Sequence, residues 1–174
     1  AIYTAIDPDV DALEQAQINN PGARFMLGSG EDLPFDSGSF DVVLFTLSLH
    51  HQNAGLALTE AARVLRNGGK ALVVEPAANG EAQKVFNLFN DESEALGKAA
   101  DSAKASVLKL EKEEVLSSKW KFEDLDELIE FDFGWKGVTS EEDAERKMRS
   151  LLGEKADKKP IILDDKLIYF LLTK

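Results

Sequence analysis

At 174 residues, with 44% apolar and 30% charged side chains, the chain is the size of one globular domain and has enough apolar surface for a core. Its formal net charge of −12 speaks against a nucleic-acid backbone or an anionic membrane surface as partner, since both require a basic footprint. It has no cysteine, and so no disulfide framework, no thiolate nucleophile and no Cys-ligated zinc, a composition that suits a cytoplasmic protein.

No apolar run approaches the ~20 residues of a membrane span. The first 76 residues alternate strand and helix. Residues 2–6 read as a short strand stopped by Asp7-Pro8. Residues 10–18 have helical spacing that closes at Asn19-Asn20-Pro21-Gly22, and residues 23–27 form a second short strand. A third strand spans 40–47 after the turn residues Asp36, Ser37 and Gly38. Residues 54–65 form a helix with Leu58, Ala61, Ala62 and Leu65 on one face, stopped by Asn67-Gly68-Gly69, and 70–75 make a fourth strand. Apolar strands alternating with amphipathic helices predict a parallel sheet covered on both faces.

The second half reads differently. Residues 80–106 are expected to be helical, with Val85, Leu88, Phe89, Ala95, Leu96 and Ala99 as core positions. A strand is expected over 114–122, and helical spacing over 123–131 through Leu125, Leu128 and Ile129. Ser140, followed by Glu141 and Glu142, is an expected N-cap for a helix running to Leu152. A charged turn at 155–159 leads to the final strand LIYFLLT at 167–173.

Several residues at predicted strand ends carry chemistry. Asp7 closes the first strand, where an acid in a doubly wound sheet accepts hydrogen bonds from ribose hydroxyls; the plain alternative is a helix N-cap. GSGEDLPF, residues 28–35, offers glycines, backbone N–H groups and Ser29 to an adenine edge, or else simply turns the chain. His50 and His51, the only histidines, follow the third strand as candidate general bases. Sequence neighbours usually point apart and no third histidine exists, so no metal site is expected of them. Glu75 closes the fourth strand as a pocket residue or a structural carboxylate, and Trp120, Phe131, Phe133 and Trp135 read as core aromatics. There is no G-x-S-x-G elbow, Walker sequence or zinc motif.

In this order the segments resemble the class I S-adenosylmethionine-dependent methyltransferases, particularly their type 11 small-molecule group. IYTAIDPDVDALEQA is similar to the family's second strand with its ribose-binding acid, GSGEDLPFDSGSFDVVLF to its G-D-A-E-x-L-P-F segment, and AARVLRNGGKALVVEP to the segment before its fifth strand. TLSLHH resembles the turn that touches the methionine portion of the cofactor. Ser29 stands where the family usually has Asp, and Asn67 where it has Pro. The family's first strand and glycine-rich loop would precede Ala1, so the resemblance implies a single methyltransferase-like domain over 1–174 that is N-terminally incomplete and lacks the central strand of its sheet.

The implied fold is α/β, a doubly wound, mostly parallel Rossmann-like sheet with an antiparallel C-terminal strand and a helical insertion at 123–160 near the substrate edge. The implied reaction is methyl transfer from S-adenosylmethionine to a small-molecule acceptor, positioned by the protein. Asp7 would hold the ribose; Pro8, Ser29, Gly30 and Glu31 would lie by the adenine. Phe45, Thr46 and Leu47 would border the cofactor through backbone and apolar contacts, and His51, or else His50, would take the acceptor's proton. Two rivals remain at this point: a non-catalytic methyltransferase-like binding or regulatory module, and a nicotinamide-dependent oxidoreductase, against which the LPF and RVLRNGG segments argue. An open sheet gap would also invite association of copies.

Overall fold

The computed structural model describes residues 3–136 and 141–174, the side chains of 132–136 and 141 excepted. The chain begins with a β-α-β unit: β1 (Thr4–Asp7), α1 (Val10–Asn19) and β2 (Arg24–Leu27), with β1 and β2 parallel and Asp7 opposite Leu27. A second parallel unit follows, made of β3 (Phe40–Thr46), a 3-10 turn (Leu49–His51), α2 (Ala54–Val64) and β4 (Leu65–Pro76). Then come α3 (Glu81–Phe86), α4 (Ser93–Lys104), β5 (Lys109–Phe122), α5 (Leu125–Lys136), α6 (Glu141–Leu152), a 3-10 turn (Gly153–Asp157) and β6 (Ile161–Thr173).

β3, β4, β6 and β5 lie side by side in that order, with β6 antiparallel to both its neighbours, so the final strand is the expected antiparallel one. β1 and β2 form a separate two-stranded sheet, and no ladder joins β1 to β3 among the described residues. No described helix is long and apolar enough to cross a membrane.

Two cores hold the larger sheet. On one face α2 and α4 cover Phe45, Leu65, Val73, Phe170 and Leu172. On the other, at the far end of the β5–β6 hairpin, α3, α5 and α6 enclose Val85, Phe122, Leu128, Met148, Ile161 and Leu163. β5 begins earlier than the expected 114, at Lys109, and β6 earlier than the expected 167, at Ile161, where Leu163 pairs with Trp120 and Ile161 with Phe122. Trp120 packs against Phe86 and Phe131, ring centroids 5.6 and 5.3 Å away, as core aromatics do. The side chains of Phe133 and Trp135, and the Ser140 cap, lie outside the described residues.

Three local expectations change. Asp9, not Asp7, caps α1: its Oδ1 accepts from the N–H groups of Asp11 and Ala12 at 2.9 and 3.2 Å. α2 runs directly into β4, so Asn67-Gly68-Gly69 is no helix stop but an irregular turn at the strand's start. Gly68 adopts φ +76° there, and a Cβ on Gly69 would lie 2.9 Å from the Arg66 carbonyl oxygen. The helix expected over 80–106 breaks between α3 and α4. Asn87 Oδ1 accepts from Gln83 Nε2 and the Glu92 N–H, while its Nδ2 donates to Ser93 Oγ. These side-chain bonds compete with the helical ladder and turn the chain.

Candidate functional site

The end of β1, the 28–35 loop and the start of α2 are tied to one another by hydrogen bonds. Asp7 closes β1, and its main-chain oxygen accepts from Gly28 N–H at 3.1 Å, which ties the end of β2 beside it. Asp7 Oδ1 accepts from Asp9 N–H at 2.8 Å. Oδ2 accepts no hydrogen bond among the described residues, so one oxygen of a half-buried carboxylate remains for a ligand. Pro8 sits exposed between them.

The 28–35 loop is shaped from within and clamped from outside. Ser29 Oγ accepts from Glu31 N–H at 3.2 Å, and Asp32 N–H donates to the Ser29 carbonyl. Glu31 Oε1 accepts from Asn53 N–H at 2.7 Å. A Cβ on Gly30 would meet Gln52 Oε1 at 2.4 Å, so this glycine makes room for a protein side chain, and the expectation that it admits a flat ligand is not needed to explain it. On α2, Glu60 Oε2 accepts from Leu33 N–H at 2.9 Å, while Arg63 donates to the carbonyls of Leu33 and Phe35 at 2.8 and 2.6 Å. Glu60 and Arg63 pair with each other at 2.7 Å. The Arg63 hydrogen bonds, and secondarily the Leu33 N–H, hold the Glu60 carboxyl down at about 2, whereas the same pairing raises the Arg63 guanidinium.

At the end of β3, Phe45 is buried in the core. Thr46 and Leu47 are exposed. Leu47 adopts φ +53°, a left-handed conformation that costs a non-glycine residue about 1–2 kcal/mol, and it is held there by its N–H bonded to the Val74 carbonyl at 2.8 Å.

The two histidines do not point apart. The 3-10 turn brings their ring centroids to 3.9 Å. His50 is the inner one, its side chain 4% exposed, with Nδ1 on Glu75 Oε2. Glu75 is fully buried and also accepts from the N–H groups of Ser48 and Leu49 at 3.2 and 2.8 Å. It is therefore the structural carboxylate of the two readings, folding the turn and fixing the imidazole. In a neutral imidazole whose Nδ1–H donates to this carboxylate, Nε2 is the accepting nitrogen of the ring. Nε2 points toward Glu92 Oε2, 3.8 Å away. His50, Gln52, Asp91, Glu94 and Lys98 line a cleft of about 680 Å³ between the start of α2 and α4. His51, the histidine favoured from sequence as a base, is the exposed outer ring.

Sequence reasoning passed over Glu60 and Glu92. The Glu60–Arg63 spacing on one helix was the available signal for the first. Glu92 had none, since it lies far along the chain from His50.

Residues 1–73 match the family model described as "Methyltransferase domain". The fatty-acid O-methyltransferase of Mycolicibacterium smegmatis is 38% identical over 78 residues, 43% of this chain and 28% of that protein. The chain thus spans well under half of that relative's length. Among solved structures, the YcgJ protein of Bacillus subtilis superposes with a TM-score of 0.67 at 22% identity, covering 98% of this chain and 81% of its own. A geranyl diphosphate methyltransferase solved with SAM gives 0.58 at 14% identity, covering 99% and 68%. The methyltransferase fold therefore extends through the described second half, beyond the residues that match by sequence.

Proposed function

We propose that this protein takes part in methyl transfer from S-adenosylmethionine to a small-molecule acceptor. The observation that carries the reading is the set of contacts that links Asp7 through the clamped 28–35 loop to the start of α2, within the stretch that matches the methyltransferase domain. The unpartnered Asp7 oxygen fits a ribose diol. Since Ser29 Oγ and Glu31 Oε1 accept bonds within the loop and turn, the adenine side is served by Pro8 and the backbone of Ser29, Gly30 and Glu31. Thr46 and Leu47 border the methionine side.

When bound, S-adenosylmethionine supplies a methyl group already activated by its sulfonium, so the protein's share is positioning and exclusion of water. His50 Nε2, steadied by Glu75 behind it, is the better-placed acceptor for a proton leaving the nucleophile, ahead of His51. The charge of −12 supports a small molecule over nucleic acid or an anionic membrane surface as the acceptor.

Calorimetric titration of the chain with S-adenosylmethionine tests this. Saturable binding weakened roughly 10-fold or more by Asp7→Ala is expected, in line with a charge-assisted hydrogen bond to a ligand. Absence of binding, with the β1 and β2 amides shown to be protected from exchange, would instead favour the non-catalytic module.

A further inference from the structure

The histidine turn has a feature that methyl transfer does not call for. One ring nitrogen each of His50 and His51 and a carboxylate oxygen of Glu92 all lie within 4.8 Å of one another, and His50 Nε2 stands 3.8 Å from Glu92 Oε2. Each of two of these groups is oriented by a partner on its other atom. Glu75 holds His50 at Nδ1, and Asn90 Nδ2 donates to Glu92 Oε1 at 2.8 Å, which leaves Oε2 directed at the His50 ring. A carboxylate behind a histidine, on the nitrogen away from the ligand position, is the outer-sphere arrangement that fixes metal-binding imidazoles.

From this geometry we propose that His50, His51 and Glu92 form a binding site for a divalent transition-metal ion of the zinc class. Two imidazoles and one carboxylate suit zinc over magnesium or calcium, which prefer all-oxygen sets. Three protein ligands leave one position of a tetrahedral ion open, and His50 lines the cleft through which water or a small ligand arrives. Ligand atoms around a tetrahedral zinc stand roughly 3.4 Å apart at the usual bond lengths. For all three to ligate one ion the cluster must contract from separations of up to 4.8 Å, through the side chains of His51 and Glu92. Nothing in the inference depends on methyl transfer. A bound ion would occupy the nitrogen assigned above as proton acceptor, so the two uses of His50 exclude each other at any one moment.

Titration of the metal-free full chain with Co²⁺, followed by displacement with Zn²⁺, tests the site without an activity readout. One equivalent should bind with the visible absorption of a tetrahedral cobalt site. His51→Ala and Glu92→Gln, both at the open side of the cluster and apart from the core, should each weaken binding at least 10-fold. Glu75→Gln should weaken it by about 10- to 100-fold, as loss of an outer-sphere partner does. Glu94→Gln, on the same cleft but paired with Lys98, should leave affinity unchanged. The proposal is overturned if no tetrahedral signal develops, if His51→Ala and Glu92→Gln bind as wild type, or if Glu94→Gln weakens binding as much as they do, which would mean diffuse attraction to an acidic surface.

Discussion

The β1–α1–β2 unit and the larger sheet are written in the same kind of sequence, apolar strands alternating with an amphipathic helix, yet they end in different physical states. α2 buries Ala54, Ala57, Leu58, Ala61 and Val64, whereas α1 buries no residue at all, and among the described residues the first buried side chain is that of Phe45. Helices draw most of their stability from packing an apolar face, and a two-stranded sheet is marginal by itself. The difference divides the candidate site. Asp7 stands on the thinly packed unit, while His50, Glu75 and the cleft stand on the packed one. What joins them is polar: the Glu31–Asn53 bond and the grip of Glu60 and Arg63 on the 33–35 segment.

The sharpest way to break that comparison is to hollow each region in turn. Phe170 is fully buried between α4 and β4, and Phe170→Ala should lower global stability by about 3–5 kcal/mol in urea unfolding. Leu13→Ala, at a half-buried position of α1, should cost less than about 1 kcal/mol. Amide exchange should agree, with α1 exchanging through local opening and β4 only through global unfolding. Equal losses from the two substitutions would erase the distinction.

The same contrast explains what was legible in the sequence. Apolar runs such as 40–47 and 167–173 announce strands by their length and composition, and the parallel and antiparallel pairing followed, but the expected cover on both faces did not: Val42 and Leu44 of β3 are exposed. Whether a run finds anything to pack against is not written in its own residues; β1 and β2 read as strongly as β4 does. The break after Phe86 was illegible because it depends on Asn87 choosing side-chain partners over the helix. At the site, Asp7 and the 28–35 loop could be picked out by position at strand ends. The histidine pair was misjudged because the rule that neighbours point apart holds for strands, and these two residues sit in a 3-10 turn. Glu92 reaches them only through the fold.

The polar joint between the two regions is the next target. Arg63→Ala removes the donors to Leu33 O, Phe35 O and the Glu60 carboxylate together; Leu33 O keeps the Phe35 N–H, while the part-buried Phe35 carbonyl loses the side-chain donor it has here. Lower stability is expected, with faster amide exchange at Leu33 and weaker S-adenosylmethionine binding, while the core amides of β4 keep their protection. Loss of β4 protection would mean that the clamp supports the whole fold, not only the junction.

Acid should act on that joint selectively. The Glu60 carboxyl is lowered from 4.5 to about 2, first by its hydrogen bonds with Arg63 and then by the Leu33 N–H, against a smaller opposing effect of desolvation. Because the folded state holds the ionised form more tightly than the unfolded chain does, this stabilisation is complete above pH 4.5. It declines as pH falls toward about 2, where the folded carboxyl takes up its proton. With Arg63 about one-third open to solvent, the contribution is on the order of 1 kcal/mol. Glu60→Gln should therefore be less stable than wild type near neutrality by that amount, and the gap should close between pH 4.5 and about 2 as the wild-type carboxyl becomes neutral too. Urea unfolding of both proteins across that range reads the effect. A gap that persisted unchanged at pH 2 would show that Glu60 acts through packing and not through its charge, and the polar link between the two regions would then rest on Arg63 and Glu31.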